Sequence, residues 1–278
     1  MKLATLRRDG STVAVRVDGN AAVAITPYSN VSELLRNPNW RALAAGATGP
    51  TVPMGDADYA PVVPAPTKIV CVGLNYANHI EEMGRTRPEY PTLFAKFPEA
   101  LIGAHDNIEV PAYADQQIDW EGELAVVVGR TATAVSEDVA TDYIAGYTVA
   151  NDVSMRDYQN RTPQWLQGKT FEKTCPLGPV LVTSDEFVDG ASLTTSVDGE
   201  IKQQDSTSDL VFTPAKLIEY ISHIVTLQAG DVILTGTPGG VGHANHTYLS
   251  DGSTLVTSIN GLGTLRNTVR VHATVPVN

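Results

Sequence analysis

Three acids, a histidine–glutamate pair and one lysine carry the chemistry this sequence can support. Asp119-Trp120-Glu121-Gly122-Glu123 runs directly into Leu124-Ala125-Val126-Val127-Val128. The apolar run reads as a buried strand, which sets the acids at the edge of a core. In a strand, positions i and i+2 share a face, so Glu121 and Glu123 point the same way with Cα atoms roughly 7 Å apart. Like charges so placed repel unless a cation lies between them. Hard divalent ions such as Mg²⁺ and Mn²⁺ favour these oxygen donors. Two solvent-facing glutamates on an edge strand would leave the same letters. Asn151-Asp152 ends a second apolar strand, Tyr143 to Val149, where Asp152 can bring a third carboxylate. An N-cap for residues 153–158 is the plain alternative.

Two further motifs could act on a substrate. In Asn75-Tyr76-Ala77-Asn78-His79-Ile80-Glu81-Glu82, His79 and Glu82 are i, i+3 and meet on one helix face. A carboxylate so placed holds the imidazole in one tautomer and raises its basicity, enough to deprotonate a water. Incidental charges on a surface helix are the bland reading. Lys169, in Gly168-Lys169-Thr170-Phe171, can serve as an electrophile beside a cation, or simply snorkel at the surface. Thr235-Gly236-Thr237-Pro238-Gly239-Gly240-Val241 offers glycines for close backbone approach and anion-binding amides, or a tight turn. Gly168-Lys169-Thr170 is no phosphate loop, because the required earlier glycine is Pro163.

The elements that position these groups follow from patterning. Residues 1–26 read as short strands, with a hairpin turn at Asp18-Gly19. A short helix spans Val31 to Leu35, with Asn30 as N-cap and Glu33 completing a capping box. Residues 46–66 are rich in Gly and Pro, which places a boundary near Pro66. The expected domains are therefore 1–65, a small N-terminal α+β unit, and 66–278, the larger unit that holds all of these motifs. Asn75 to Met83 reads as a short helix, and residues 84–91 as an aperiodic loop. Thr213-Pro214 starts a helix over Ala215 to Val225 with an apolar face of Leu217, Ile218, Ile221, Ile224 and Val225. Strands at 255–259 and 269–275 close the chain. The fold class is mainly β with small helices (α+β).

Composition bounds the partners. The 278 residues include 19 Lys and Arg against 31 Asp and Glu, a net charge of −12. No cationic run offsets this, so nucleic acid is excluded as a general partner. No apolar run approaches the ~18 residues of a membrane span, and the first ten residues lack the apolar core of a signal peptide. Cys71 and Cys175 have no metal spacing. The expectation is a reduced, cytoplasmic protein without a membrane partner.

In this order, the segments resemble the fumarylacetoacetate hydrolase family over about 66–278. The residues carrying the likeness are Leu74 to His79, Asp119 to Ala125, Asn151-Asp152-Val153-Ser154-x-Arg156-Asp157, Gln167 to Phe171, Cys175 to Pro179 and Thr235 to Val241. The resemblance implies a β-roll catalytic domain, here preceded by a small N-terminal domain, and a homodimer. It implies one Mg²⁺ or Mn²⁺ per chain on Glu121, Glu123 and Asp152, with Lys169 nearby. It makes His79 and Glu82 a water-activating pair on a segment, about 80–91, that closes over substrate. Arg156, Gln159 and Thr237 fall where the family contacts a substrate carboxylate or oxo group. The implied reaction is hydrolysis of a C–C bond in an acylpyruvate-type 2-oxo acid such as fumarylpyruvate, giving pyruvate and a carboxylic acid. Oxaloacetate decarboxylation and 2-hydroxyhepta-2,4-diene-1,7-dioate isomerase or decarboxylase chemistry are the alternatives on the same site. A non-catalytic metal-binding β module is the alternative of another class.

Overall fold

The computed structural model describes residues 1–55, 57–82, 84 and 86–273. Met83, which the sequence reading put at a helix end, and residues 274 and 275 of the last expected strand lie outside them. The chain begins with strands β1 (Lys2–Arg8), β2 (Ser11–Asp18) and β3 (Ala21–Ala24), helices α1 (Val31–Leu35) and α2 (Trp40–Ala45), and β4 (Thr51–Pro53). There follow β5 (Ile69–Gly73), α3 (Ala77–Glu82), β6 (Thr92–Lys96), β7 (Leu101–Ile102), β8 (Ile108–Pro111), β9 (Ile118–Asp119) and β10 (Gly122–Val128). The middle of the chain holds α4 (Glu137–Ala140), β11 (Ile144–Asn151), β12 (Ser154–Met155), α5 (Arg156–Gln159), α6 (Leu166–Lys169) and β13 (Cys175–Thr183). The rest comprises β14 (Ser192–Val197), β15 (Glu200–Ser206), α7 (Pro214–Ile224), β16 (Val232–Leu234), β17 (Thr254–Ile259) and β18 (Gly263–His272). The architecture is the mainly β arrangement with small helices expected from the sequence.

One large sheet runs in the order β4-β3-β2-β1-β13-β11-β10-β16-β5-β6, and a second runs β15-β14-β17-β18-β8. The N-terminal strands continue the large sheet, because Leu3 of β1 pairs with Leu181 of β13. At its centre β10 and β11 are buried along their whole lengths, as a strand covered on both faces requires. Their pairing sets Gly122 opposite Asn151 and Glu123 opposite Ala150. The acidic ends of both strands therefore reach the same edge of the core.

Local signals decided several helices. Asn30 Oδ1 accepts from the Glu33 amide at 2.9 Å. The Glu33 carboxylate returns to the Ser29 amide at 2.8 Å, one residue earlier than a capping box predicts. Thr213 caps α7 through the Lys216 amide, with Pro214 at the first helical position. Leu217, Ile218 and Ile221 are buried, but Ile224 is 64% and Val225 42% exposed. The buried stripe thus ends one turn before the apolar letters do. Among the described residues no helix is long and apolar enough to cross a membrane.

Candidate metal centre and the cavity above it

The strand expected over 118–128 is interrupted at Trp120-Glu121. β9 pairs with β12, while β10 starts at Gly122 and pairs with β11. Side chains break the ladder: the Glu121 amide donates to Asn151 Oδ1 at 3.0 Å, and the Asp152 amide returns to the Glu121 carbonyl at 2.8 Å. The two glutamates converge without sharing one regular strand. Oxygens of Glu121, Glu123 and Asp152 all lie within 4.8 Å of one another, and all three residues are buried.

Cations are distributed unevenly over this triad. Lys169 Nζ donates to Glu121 Oε2 at 2.7 Å and to Asp152 Oδ2 at 2.9 Å. Lys96 Nζ, with no side-chain exposure, holds Asp152 Oδ1 at 2.7 Å. Arg156 grips Glu121 Oε1 at 2.6 Å and Asp119 Oδ2 at 2.8 Å. Glu123 receives the Gly236 amide at 2.7 Å and, among the described residues, no cation bonds it. Burial, then the negative charges of Asp152 and Glu121, push the Glu123 carboxyl well above the ordinary carboxylate range. Burial pushes Glu121 the same way, yet Lys169 and Arg156 outweigh it and hold that group at about 2. Burial also disfavours the Lys96 ammonium, but Asp152 reverses the sign and raises its pKa.

Four buried carboxylates, counting Asp119, thus face three cations, and the deficit falls on Glu123. A divalent ion with oxygen preference fits this donor set: it matches the three converging oxygens and would supply positive charge beside Glu123, which no described cation bonds.

The surrounding backbone is shaped for the site. Leu74 adopts φ 57° between β5 and α3, a left-handed conformation that costs a non-glycine roughly 1–2 kcal/mol. Asn75 offsets it: buried, it donates to the carbonyls of Phe212 at 3.0 Å and Thr235 at 2.8 Å, and accepts from the Phe212 amide at 2.7 Å. Gly236 has φ 100°, and a Cβ there would stand 3.0 Å from Asn75 Cβ, so glycine alone brings its amide to Glu123.

Helices α5 and α6 are locked together at Gly168. A Cβ on Gly168 would come within 2.5 Å of both the Gln159 amide nitrogen and the Met155 carbonyl oxygen. Backbone atoms cannot yield, so Gly168→Ala is expected to separate α6, with Lys169, from α5. We expect a loss of about 1–3 kcal/mol in stability, read as a lowered melting temperature, together with weaker turnover. Unchanged melting and turnover would mean that the two helices are not rigidly coupled.

Above the triad lies a cavity of about 500 Å³, lined by His79, Glu82, Glu121, Arg156, Gln159, Lys169 and Thr237 among others. All seven were singled out in the sequence, and the fold brings them to one space. His79 Nδ1 lies 3.1 Å from Glu82 Oε2. Gln159 Oε1 accepts from Arg156 at 2.8 Å. The Thr237 hydroxyl donates to the Gly122 carbonyl at 2.9 Å and accepts from Gln203 at 2.8 Å. Of the triad only Glu121 lines the cavity; Glu123 and Asp152 reach it through their oxygens within 4.8 Å of those of Glu121.

Sequence reasoning missed Lys96, Asp119, Gln203 and His243. Asp119 is a hub: besides Arg156 it accepts the amides of Trp120, Gly242 and His243 at 2.8, 2.7 and 3.0 Å. Its place in the Asp-Trp-Glu-Gly-Glu motif was the available signal. Lys96 offered none, since an alternating strand with one lysine reads as half-exposed. His243 lines the cavity, and burial, then Arg156, lower its pKa. Cys71 and Cys175 are buried and unpaired, and burial drives the Cys175 thiol up to about 12, which makes it inert.

Comparison with known proteins bears on this geometry. The family described as "Fumarylacetoacetate (FAA) hydrolase C-terminal" matches residues 68–270. The mitochondrial oxaloacetate tautomerase Fahd2a of Rattus norvegicus is 42% identical over 234 residues, 82% of this chain and 74% of its own. A solved fumarylacetoacetate hydrolase from Exiguobacterium antarcticum superposes with a TM-score of 0.87 at 33% identity, over 98% of this chain and 100% of that one. A 2-hydroxyhepta-2,4-diene-1,7-dioate isomerase from Mycobacterium marinum gives 0.81 at 33% identity, over 99% and 100%.

Proposed function

The chain belongs to the fumarylacetoacetate hydrolase family, and from that premise we propose that it is a divalent-cation-dependent enzyme interconverting the keto and enol forms of a small 2-oxo acid, with oxaloacetate as the candidate substrate. The single observation that carries the reading is that His79 and Glu82 face the same cavity as Glu121 and Lys169. Relatives described as a tautomerase and an isomerase weigh toward proton transfer next to the oxo group, rather than the C–C hydrolysis expected from the sequence. Tautomerisation and isomerisation, unlike hydrolysis, need no attacking water.

Glu121, Glu123 and Asp152 would hold the ion, whose chemistry would be that of a Lewis acid toward an oxo group and its carboxylate. Lys169 adds a preorganised positive charge where negative charge develops on the substrate oxygen. Glu82 accepts from His79 Nδ1 and thereby leaves Nε2 unprotonated and free to act as the base. The C3–H bond breaks, its electron pair stays on the substrate as an enolate, and the proton passes to Nε2. Return of that proton from Nε2 to the enolate oxygen completes the enol and regenerates the base, and the reverse sequence gives the keto form. Arg156 and Gln159 orient the substrate carboxylates from one wall of the cavity.

The test follows the decay of enol-oxaloacetate by its ultraviolet absorbance, with Mg²⁺ or Mn²⁺ and after chelation. We expect acceleration that chelator abolishes and added ion restores. Decay at the buffer rate in the presence of ion would refute the reading. Pyruvate release from acetylpyruvate or fumarylpyruvate without faster enol decay would return the function to hydrolysis.

A further inference from the structure

The cavity lining is of two kinds. Arg156, Lys169 and His243 furnish charge and hydrogen-bond donors, and Phe94 and Trp165 add an aromatic wall. The Phe94 ring adjoins the reactive end, with Lys169 Nζ 5.0 Å from its centroid. Trp165 meets Phe94 edge to face, centroids 5.4 Å apart and planes at 69°, the arrangement that aromatic quadrupoles favour. The wall therefore runs outward from Lys169 through Phe94 to the indole.

Gly73, the last residue of β5, lets the indole lie there. A Cβ on Gly73 would stand 2.5 Å from Trp165 Cζ3 and 3.0 Å from Cη2, closer than non-bonded carbons tolerate. The Gly73 backbone is not left-handed, so space rather than conformation demands glycine. Trp165 is pressed against the β5 backbone and has no room to retreat from the cavity on that side.

We propose that Trp165, seated on Gly73, sets the size limit for the group a 2-oxo acid carries beyond its reactive carbon. The proposal rests on the 2-oxo acid reading of this cavity and adds which residue measures the substrate. A short carboxylate tail is served by the Arg156 wall, whereas an aryl tail meets the indole.

Phenylpyruvate, an enolisable 2-oxo acid with an aryl group, is the bulky probe and oxaloacetate the small one. In Trp165→Ala the ratio of kcat/KM for phenylpyruvate over oxaloacetate should rise roughly tenfold or more. Gly73→Ala drives the indole into the cavity and should lower the ratio. In the double variant there is no indole to push, so the ratio should stay high. If Trp165 serves only to support Lys169, both substrates fall together and the ratio does not move. That outcome, or an equal drop from Gly73→Ala with and without the indole, overturns the proposal. Binding gives a readout apart from turnover: with Mn²⁺ present, the melting shift from phenylpyruvate should grow in Trp165→Ala while that from oxalate holds. A wild-type chain that tautomerises neither acid would end the catalytic reading, while the melting shifts would still judge the wall.

Discussion

Asp152→Ala should lose divalent-ion binding, turnover and several kcal/mol of stability in one step. The loss of stability comes from what the carboxylate leaves behind. Lys96 has no side-chain exposure and gives one bond to Asp152 Oδ1 at 2.7 Å and another to the Val153 carbonyl at 3.2 Å. Removing one partner of a buried ion pair costs about 3–5 kcal/mol, because the other charge stays buried. Deprotonation of the orphaned lysine would cap that cost. Lys169 is better placed, since Glu121 Oε2 still accepts from it at 2.7 Å. In a chain of 278 residues the expected fall in melting temperature is roughly ten degrees. Asp152→Asn separates the two effects. Its amide oxygen can still accept from Lys96, so most of the stability should survive, but a neutral amide is a weak ligand for a hard divalent ion. Isothermal titration with Mn²⁺ and thermal melts of both variants form the test. Wild-type Mn²⁺ affinity in either variant would remove Asp152 from the site and leave the acidic cluster as a structural network.

How far this site could be read from sequence depends on how local each signal was. Glu121, Glu123 and Asp152 stand beside continuous apolar strands, and strand burial is written in consecutive letters. The caps at Asn30 and Thr213 are likewise decided within four residues. Lys96 is different. Its partner lies 56 residues away across the sheet order, and the letters Thr-Leu-Phe-Ala-Lys describe an ordinary half-exposed strand. Only the pairing of β6 with β5, and of β5 with β16 beside β10, carries Lys96 under Asp152. The break at Trp120-Glu121 was also hidden, because it is made by the Asn151 side chain replacing a ladder bond. The N-terminal strands raise the same point: no local signal tells that Lys2 of β1 pairs with Val182 of β13. Patterning reports which residues are buried, and long-range pairing decides against what.

His79→Ala tests the proton-transfer step itself. Expected is a fall in turnover of about 10²–10⁴, the usual contribution of a positioned general base, with Mn²⁺ affinity kept. The imidazole bonds Glu82 and none of Glu121, Glu123 and Asp152, so its removal leaves the proposed ion site in place. Glu82→Gln should act more gently. On the proposed reading Glu82 is a positioning residue: its Oε2 lies 3.1 Å from His79 Nδ1 and against the Gly239 turn, where a Cβ would come within 2.7 Å, so it would fix which imidazole nitrogen carries the proton. The amide can bond either tautomer, so kcat should drop roughly tenfold while KM stays level. A merely structural loss of α3 would instead raise KM and lower the melting temperature. Exchange of the C3 protons of oxaloacetate in D₂O, followed by NMR, isolates the C–H step from product release and from any decarboxylation. The wild-type chain should exchange them well above the buffer rate, and His79→Ala should exchange them near it, in proportion to its lost tautomerase rate. Exchange at the wild-type rate in His79→Ala would place the base elsewhere in the cavity, with His243 the next residue to substitute.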